Sequence, residues 1–388
     1  MLYPNLIRPI LFTFPPETAH RNTFRFGRWL SRYDMAHRFL RERYDVQFEE
    51  LKVTAFGLEF RNPVGLAAGF DKHAEIHSLF PDLGFGHIEI GSVSLRPWPG
   101  NPSPRVLRLP QDYALINRYG LNSVGADVVY ARLKDARLRI PVGLNLVKTA
   151  DPAISGNDAI EDFVQSFARL YQLADFITLN VSCPNTPEGK TFEHPETLAP
   201  FLARLKATEA ELCKSCRRKP ALVKLSPDLD QETLSRILAI TEENDISGYV
   251  VANTTSRRQG LQTPASVLQE FGRGGLSGAP VVQFTLPMVR AVYEKTGGRK
   301  PIIAVGGIGC DPRKEPAEIV WEYFRAGATL VQLNTGLIYS GPAVVKRINR
   351  GLIEILRRNR LASLGEFLAG RKEFAAGKAE KELCRPGS

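Results

Sequence analysis

The 388-residue sequence is poor in cysteine, with five residues, and lacks long apolar runs. An odd number of cysteines in a long chain argues against a disulfide framework and for a reducing compartment. No apolar run approaches the ~20 residues that span a bilayer. The first ten residues include Pro4 and Pro9 and no long apolar core, so we expect no signal peptide. Disulfide-stabilised and membrane-spanning classes are therefore excluded.

Metal-binding patterns are also incomplete. Cys213 and Cys216 form a lone CxxC pair, and no second pair follows at zinc spacing. His73 and His77 lie four residues apart, but the acid between them is displaced from the position that a zinc helix requires. We therefore expect no metal ion.

Positive charge is concentrated at the amino terminus of a chain whose net charge is +10. Residues 1–45 contain eight arginines against four acids. Large apolar side chains lie between them: Phe12, Phe14, Phe24, Phe26, Trp29, Leu30, Tyr33, Phe39 and Leu40. This pattern is typical of a helix pair lying on an anionic membrane surface. Nucleic acid is an alternative without a supporting motif, so no nucleic-acid partner is expected. A second alternative is a helical appendage that packs on its own body.

From residue 51 onwards, short apolar strands alternate with longer helical segments. Residues 51–60 predict a small hairpin that turns at Gly57. Eight further strands are predicted at residues 64–67, 87–91, 142–146, 176–181, 221–225, 248–253, 302–306 and 330–333. Eight such units match a (β/α)8 TIM barrel. A doubly wound sheet would need a glycine-rich fingerprint after its first strand, where residues 67–72 read Ala-Ala-Gly-Phe-Asp-Lys.

The prediction is an α/β fold, a (β/α)8 TIM barrel with a small N-terminal helical extension. We divide the chain into a helical extension (1–48), a barrel (49–370) and a polar C-terminal tail (371–388).

The fourth barrel strand ends in two amides and a thiol. Residues 177–186 read Ile-Thr-Leu-Asn-Val-Ser-Cys-Pro-Asn-Thr, and Pro184 enforces a turn. Asn180, Cys183 and Asn185 are therefore delivered to one end of the strand. The amides suit the edge of a flat heterocycle, and the thiol can move a proton. The alternative is an Asx-rich turn with a core cysteine.

The other strand ends share this small and polar character. They carry Gly69, Ser92, Asn145, Lys224, Asn253, Gly307 and Thr335. Glycine turns after the last two strands are where barrels bind phosphate through backbone N–H groups. A planar cofactor bearing a phosphate, such as FMN, satisfies all of these features. Residues 272–278 are glycine-rich without a preceding strand, and we predict a mobile or ligand-facing loop there.

Lys224 lies on an otherwise apolar strand, so its charge needs an anionic partner. A reduced flavin, negative near N1 and O2, would supply one. Lys72 follows a glycine turn and could hold a carboxylate substrate.

The chain resembles the class 2, quinone-dependent dihydroorotate dehydrogenase family over about residues 1–365. The motifs lie at residues 62–72, 90–93, 108–110, 116–120, 180–186, 274–278 and 305–308. The opening Tyr3-Pro4, and Pro16-Glu17 with Ala19-His20, resemble the helical part that class 1 members lack.

The resemblance implies oxidation of (S)-dihydroorotate to orotate in pyrimidine (UMP) biosynthesis. It implies flavin contacts at Ala68, Gly69, Ser92, Asn145, Asn180, Lys224, Ala252, Gly278, Gly307, Asn334 and Thr335. It implies substrate contacts at Lys72, Asn117, Arg118, Tyr119, Gly120, Leu121, Asn180, Asn185, Asn253 and Thr254. Cys183 matches the base that takes a proton from ring carbon C5 while hydride passes from C6 to flavin N5. Electrons then pass to a membrane quinone near His20 and Arg108. The implied location is peripheral, on the cytoplasmic side of a bacterial inner membrane.

The sequence departs from the family pattern at several of these positions. Cys183 replaces the usual class 2 serine, Ala252 a threonine, Asn334 a tyrosine and Leu121 a phenylalanine. Residues 188–190 read Glu-Gly-Lys where Gly-Leu-Arg is usual. Besides the leading hypothesis we retain two others. One is a divergent FMN oxidoreductase acting on another cyclic amide or using another acceptor, and the other is a catalytically silent, membrane-bound flavoprotein.

Overall fold

The computed structural model describes residues 3–182 and 191–371. The strands in chain order are β1 (Val53–Ala55), β2 (Leu58–Phe60), β3 (Val64–Leu66), β4 (His87–Val93), β5 (Val106–Leu109), β6 (Ala114–Asn117), β7 (Val142–Leu146), β8 (Phe176–Asn180), β9 (Ala221–Leu225), β10 (Gly248–Val251), β11 (Gly275–Gly278), β12 (Ile302–Val305) and β13 (Leu330–Leu333). The helices are α1 (Arg8–Thr13), α2 (Pro16–Leu30), α3 (Asp34–Tyr44), α4 (Ala126–Leu133), α5 (Gly156–Leu170), α6 (Pro195–Leu212), α7 (Gln231–Glu243), α8 (Ala265–Phe271), α9 (Val282–Lys295), α10 (Pro316–Ala326), α11 (Thr335–Ser340) and α12 (Val344–Arg358). A π-helical turn over Tyr3–Ile7 precedes α1.

Eight parallel strands close into a barrel in the order β3-β4-β7-β8-β9-β10-β12-β13, and β13 pairs with β3. Each strand pairs with the next barrel strand along the chain, as right-handed β–α–β units require. Their residues are almost wholly buried, because helices cover the barrel outside and side chains fill its interior. The predicted TIM barrel is confirmed, with all eight strands within two residues of the expected bounds. The hairpin of β1 and β2 is also as expected.

A separate three-stranded antiparallel sheet, β5-β6-β11, lies outside the barrel. Asn117 at the end of β6 pairs with Gly275 at the start of β11. The prediction of a loop at residues 272–278 was therefore wrong for its second half. Glycine is needed there because a Cβ on Gly275 would lie 2.0 Å from Thr254 Oγ1 and one on Gly278 would lie 2.5 Å from Ala114 Cα. Two of the four residues of β11 are glycines, so the strand shows no alternation of apolar and polar side chains in the sequence.

The N-terminal helices are tied to the barrel by polar contacts. Asp82, almost fully buried, accepts hydrogen bonds from Arg41 and His37 on α3 and from Arg139 on the barrel. At the other end of the extension, Tyr3 Oη donates to Ile338 O at 2.8 Å. The extension therefore packs on its own body, as one sequence alternative proposed, through one of its faces.

The other face of the extension is apolar and exposed. Its most exposed large side chains are Leu6, Ile10, Phe26, Trp29, Met35 and Phe39, each at least half exposed. Outside the extension, the exposed large apolar residues of the described ranges are Val128 and Val267, and both are less exposed than these six. No helix in those ranges is both long and apolar enough to cross a bilayer.

His87 at the start of β4 makes the folded barrel sensitive to acid. Its ring is fully buried between Phe60 and Phe176, and neither ring nitrogen has a hydrogen-bond partner among the residues that the structure describes. Burial lowers its pKa from 6.5 to about 3. In the unfolded chain the imidazole of His87 is therefore protonated as pH falls below about 6.5, whereas in the folded chain it stays neutral down to about pH 3. The stability that His87 contributes is complete above pH 6.5 and is lost as pH falls towards 3, at up to about 1.4 kcal/mol per pH unit.

We expect His87→Leu to fold with similar stability at pH 7.5 and to lose less stability than the wild type on acidification. Urea unfolding of both proteins at pH 7.5 and 5 measures the difference. Equal losses in the two proteins would show that His87 does not carry the pH dependence.

Candidate active site

One cavity of about 700 Å³ lies at the carboxyl ends of the barrel strands and extends to the N-terminal helices. Its wall includes most of the residues that sequence analysis assigned to flavin: Ala68, Gly69, Ser92, Asn180, Lys224, Ala252, Gly278, Gly307, Asn334 and Thr335. It also includes Lys72, Asn117, Tyr119, Leu121, Asn253 and Thr254 from the substrate set, and both His20 and Arg108 from the quinone set. The barrel thus brings the residues predicted for flavin, for substrate and for quinone to one continuous space.

Some predicted site residues lie elsewhere. The guanidinium of Arg118 points away from the cavity: it donates to Pro104 O and Phe271 O and lies over the Phe271 ring. Gly120 packs against Asn101 and is not part of the cavity wall. Asn145 is fully buried behind Ser92. Cys183 and Asn185 lie outside the described residues.

A row of amides and hydroxyls connects the ends of β4, β7, β8 and β10. Ser92 Oγ donates to Asn145 Oδ1 at 2.5 Å and accepts from Asn180 Nδ2 at 2.9 Å. Asn253 Nδ2 lies 3.2 Å from Asn180 Oδ1 and also donates to Ser182. Because each side chain holds its neighbour, the row presents fixed donors and acceptors to the cavity.

Lys72 and Asn117 both line the cavity. Lys72 Nζ donates to Asn122 Oδ1 at 2.7 Å and lies 3.6 Å from the centre of the Tyr119 ring. Asn117 Nδ2 donates to Gly275 O, so β11 positions it. An ammonium beside amides suits a ligand that combines a carboxylate with ring N–H and C=O groups. Thr254 Oγ1, buried in the same wall, has no hydrogen-bond partner in the described ranges.

Another part of the wall is glycine backbone. Gly278 and Gly307 have positive φ, and a Cβ on Gly307 would lie 2.2 Å from Val282 Cγ2 and 3.2 Å from Gly278 O. Thr335 Oγ1 donates to Ser277 Oγ at 2.9 Å at the start of α11. Bare backbone from two strand ends and a helix start lets a phosphate approach closely. Together with the amide row and Lys224, these residues fit a flat cofactor with a phosphate tail.

Lys224 has an anionic partner within the protein. Its Nζ lies 4.0 Å from Glu89 Oε1, and both side chains are buried. Sequence analysis assigned this role to a reduced flavin and missed Glu89. The signal was present, because Glu89 is the one acid of β4 and lies between the apolar residues Ile88 and Ile90.

The cavity continues between the barrel and α2. His20 packs against Phe24 and Phe70, with ring centres 4.3 and 6.0 Å away. Burial, and then the charge of Lys72, lower the pKa of His20 to about 4. Arg108 donates to Phe12 O and Phe14 O and stacks over the Phe12 ring. Arg108 therefore holds the linking segment of the extension in place while lining the cavity.

Asn334 fills the position where the resemblance implies tyrosine. Its Nδ2 donates to Ala68 O at 3.3 Å and lies beside Gly69. The amide thus spans the gap between β13 and β3, where it closes part of the cavity wall.

Comparison with known proteins agrees with this geometry. The family model described as dihydroorotate dehydrogenase matches residues 50–356. A protein of Nocardia farcinica named dihydroorotate dehydrogenase (quinone) is 40% identical over 365 residues, which cover 94% of this chain and 96% of the relative. A protein of the same name from Halobacterium salinarum is 42% identical, with 91% and 95% of the two chains covered. The crystal structure of the Eimeria tenella enzyme in complex with ferulenol matches with a TM-score of 0.78 and 31% identity, over 91% of this chain and 96% of that one. The match to the family model and to these relatives, over nearly the whole chain, shows that this chain belongs to the dihydroorotate dehydrogenase family.

Proposed function

We propose that this protein oxidises dihydroorotate to orotate, a step of pyrimidine biosynthesis, with FMN as cofactor and a quinone as electron acceptor. The observation that carries the proposal is the single cavity, which joins the polar strand ends to the apolar passage beside α2. When bound, FMN supplies a hydride acceptor and an outlet for single electrons. The remaining chemistry is a matter of binding, orientation and proton transfer by the chain's own residues.

Lys72, Asn117, Asn253 and Thr254 are proposed to hold the substrate. The ammonium of Lys72 would pair with the carboxylate, and the amides would bond the edge of the ring. Orientation of this kind converts binding energy into rate, because the reacting carbon is held against the flavin. Cys183 is proposed as the base, since a thiol with an ordinary pKa of ~8.5 ionises readily near neutral pH. Asn185, on the same segment, is proposed to bond the substrate ring.

The passage beside α2 is proposed as the quinone site. Phe24 and Phe70 offer an apolar wall, and His20 is neutral at physiological pH because its pKa is about 4. A neutral imidazole can bond a quinone oxygen without the cost of burying a charge.

The exposed apolar face of the extension is proposed to rest on a membrane surface. Six large apolar side chains face solvent there, and residues 1–45 carry eight arginines against four acids. Buried apolar area and attraction to anionic lipid add in such a contact. We place the protein peripherally on the cytoplasmic side of a bacterial inner membrane, where a quinone would enter directly from the lipid.

The test is anaerobic mixing of the purified protein with dihydroorotate while flavin absorbance is followed. We expect rapid bleaching that a soluble quinone reverses. A flavin that bleaches with dithionite but not with dihydroorotate would favour the divergent oxidoreductase, and a panel of quinones, fumarate and NAD would identify its acceptor. A protein without bound flavin would overturn the proposal.

A further inference from the structure

The barrel interior contains a fully buried carboxylate, Glu89, that lines no part of the cavity. Its Oε1 accepts a hydrogen bond from Asn145 Nδ2 at 2.7 Å, and its Oε2 accepts one from Gln332 Nε2 at 2.9 Å. Lys224 Nζ lies 4.0 Å from Oε1. Burying a carboxylate is costly unless it is paired and hydrogen-bonded, and here both conditions are met.

Glu89 stands at the closed end of the amide row. An ionised carboxylate only accepts hydrogen bonds, so Asn145 must turn its NH₂ group towards Glu89 and its oxygen towards Ser92. Ser92 then donates to that oxygen and accepts from Asn180 Nδ2. Asn180 in turn presents its oxygen to Asn253 Nδ2. The direction of each amide in the row thus follows from the charge at its end.

The negative charge of Glu89 also partly offsets the positive charge of Lys224. Lys224 is a cavity-lining residue, whereas Glu89 lies on the side of the lysine away from the cavity. In a buried site a charge pair at this distance is weakly screened. A cofactor that gains negative charge on reduction would therefore meet a lysine whose field is already partly offset.

We propose that Glu89 is a positioning residue for the flavin chemistry: it orients the amide row and lowers the reduction potential of bound FMN by offsetting Lys224. The inference rests on the proposed function, because it requires FMN in this cavity. Glu89 is not part of the cavity wall and acts through the residues that it contacts, of which Gln332 and Lys224 line the cavity.

The test is the midpoint potential of FMN bound to the full chain, measured by anaerobic spectroelectrochemical titration, for wild type and Glu89→Gln. Loss of the negative charge is expected to strengthen binding of reduced relative to oxidised FMN by about tenfold, which corresponds to a rise of about 30 mV for a two-electron couple. The glutamine also presents an NH₂ group to one of two donors. The amide row is therefore disturbed, and orotate should bind more weakly to the oxidised enzyme.

Glu89→Asp keeps the charge but withdraws it from Asn145 and Lys224. Glu89→Asp should therefore also raise the reduction potential of FMN, by a smaller amount than Glu89→Gln. If Glu89→Gln does not retain FMN, the potential of Glu89→Asp tests the inference. Asp82→Asn is the matched control, because it also removes a buried carboxylate, one that holds α3 rather than the amide row. It should lower stability and leave the potential unchanged.

An unchanged potential in both Glu89 variants would overturn the inference, as would an equal rise in Asp82→Asn. Either result would leave the proposed function intact provided that dihydroorotate still bleaches the wild-type flavin. A wild-type protein that binds no FMN would overturn both proposals.

Discussion

Replacing Cys183 by alanine is expected to leave FMN bound while slowing its reduction by dihydroorotate by a factor of roughly 10² to 10⁴, the usual contribution of a positioned base. The side chain is small and alanine retains its Cβ, so the cavity wall described above is expected to persist. Anaerobic stopped-flow mixing measures the rate directly. Cys216→Ala is the matched control, because Cys216 Sγ donates to Leu212 O after α6 and Cys216 does not line the active-site cavity. A wild-type rate in Cys183→Ala would remove the thiol from the mechanism.

Cys183→Ser tests the role of acidity separately from that of geometry. A hydroxyl ionises far less readily than a thiol, whose ordinary pKa is ~8.5. The wild-type rate of flavin reduction should rise with pH and level off near the pKa of the thiol, whereas the serine variant should continue to rise above that pH. Identical pH profiles would contradict a thiol base.

The double variant Trp29→Glu/Phe39→Glu is expected to lose binding to anionic lipid vesicles by at least a hundredfold. Both side chains are half exposed or more and neither lines the cavity. Each substitution removes roughly 2 kcal/mol of apolar burial in the membrane. The two free energies add, so their effects on the partition coefficient multiply. Vesicle sedimentation measures the loss. Turnover with a long-chain quinone in vesicles should fall with it, while reduction of the flavin by dihydroorotate should not change.

Val128→Glu/Val267→Glu serves as the control for that experiment. These valines are the exposed large apolar residues of the described ranges that lie outside the extension, on α4 and α8 of the barrel. If the control loses as much vesicle binding as the double variant, added negative charge rather than the apolar face explains the effect.

The sequence predicted the barrel strands well because their residues are buried on both faces and read as short apolar runs. It did not predict β5, β6 and β11. For β11 the reason is that two of its four residues are glycine and that its partner, β6, lies far away in the chain. Asn117 and Gly275, which pair there, are 158 residues apart. No local pattern reports such a pairing.

In the candidate site, too, the sequence located some features and not others. Strand ends located the amides and Lys224, because parallel strands bring their carboxyl ends to one edge. Which way each amide turns depends on Glu89, whose contacts cross from β4 to β7, β9 and β13. The direction of Arg118 likewise depends on Phe271, more than 150 residues further along the chain. Contacts of this kind follow from the closed barrel and not from any single segment.

The attachment of the extension has a consequence for synthesis on the ribosome. Tyr3 bonds to Ile338 and Arg8 to Tyr339, across separations of 335 and 331 residues. At ~5–20 residues per second, roughly 15 to 70 s pass between the emergence of these partners. Closure of the barrel waits for a somewhat shorter time, because β3 must pair with β13. For that interval the apolar extension has no finished body to pack against, so nascent chains should depend on chaperones or on the membrane itself to avoid aggregation.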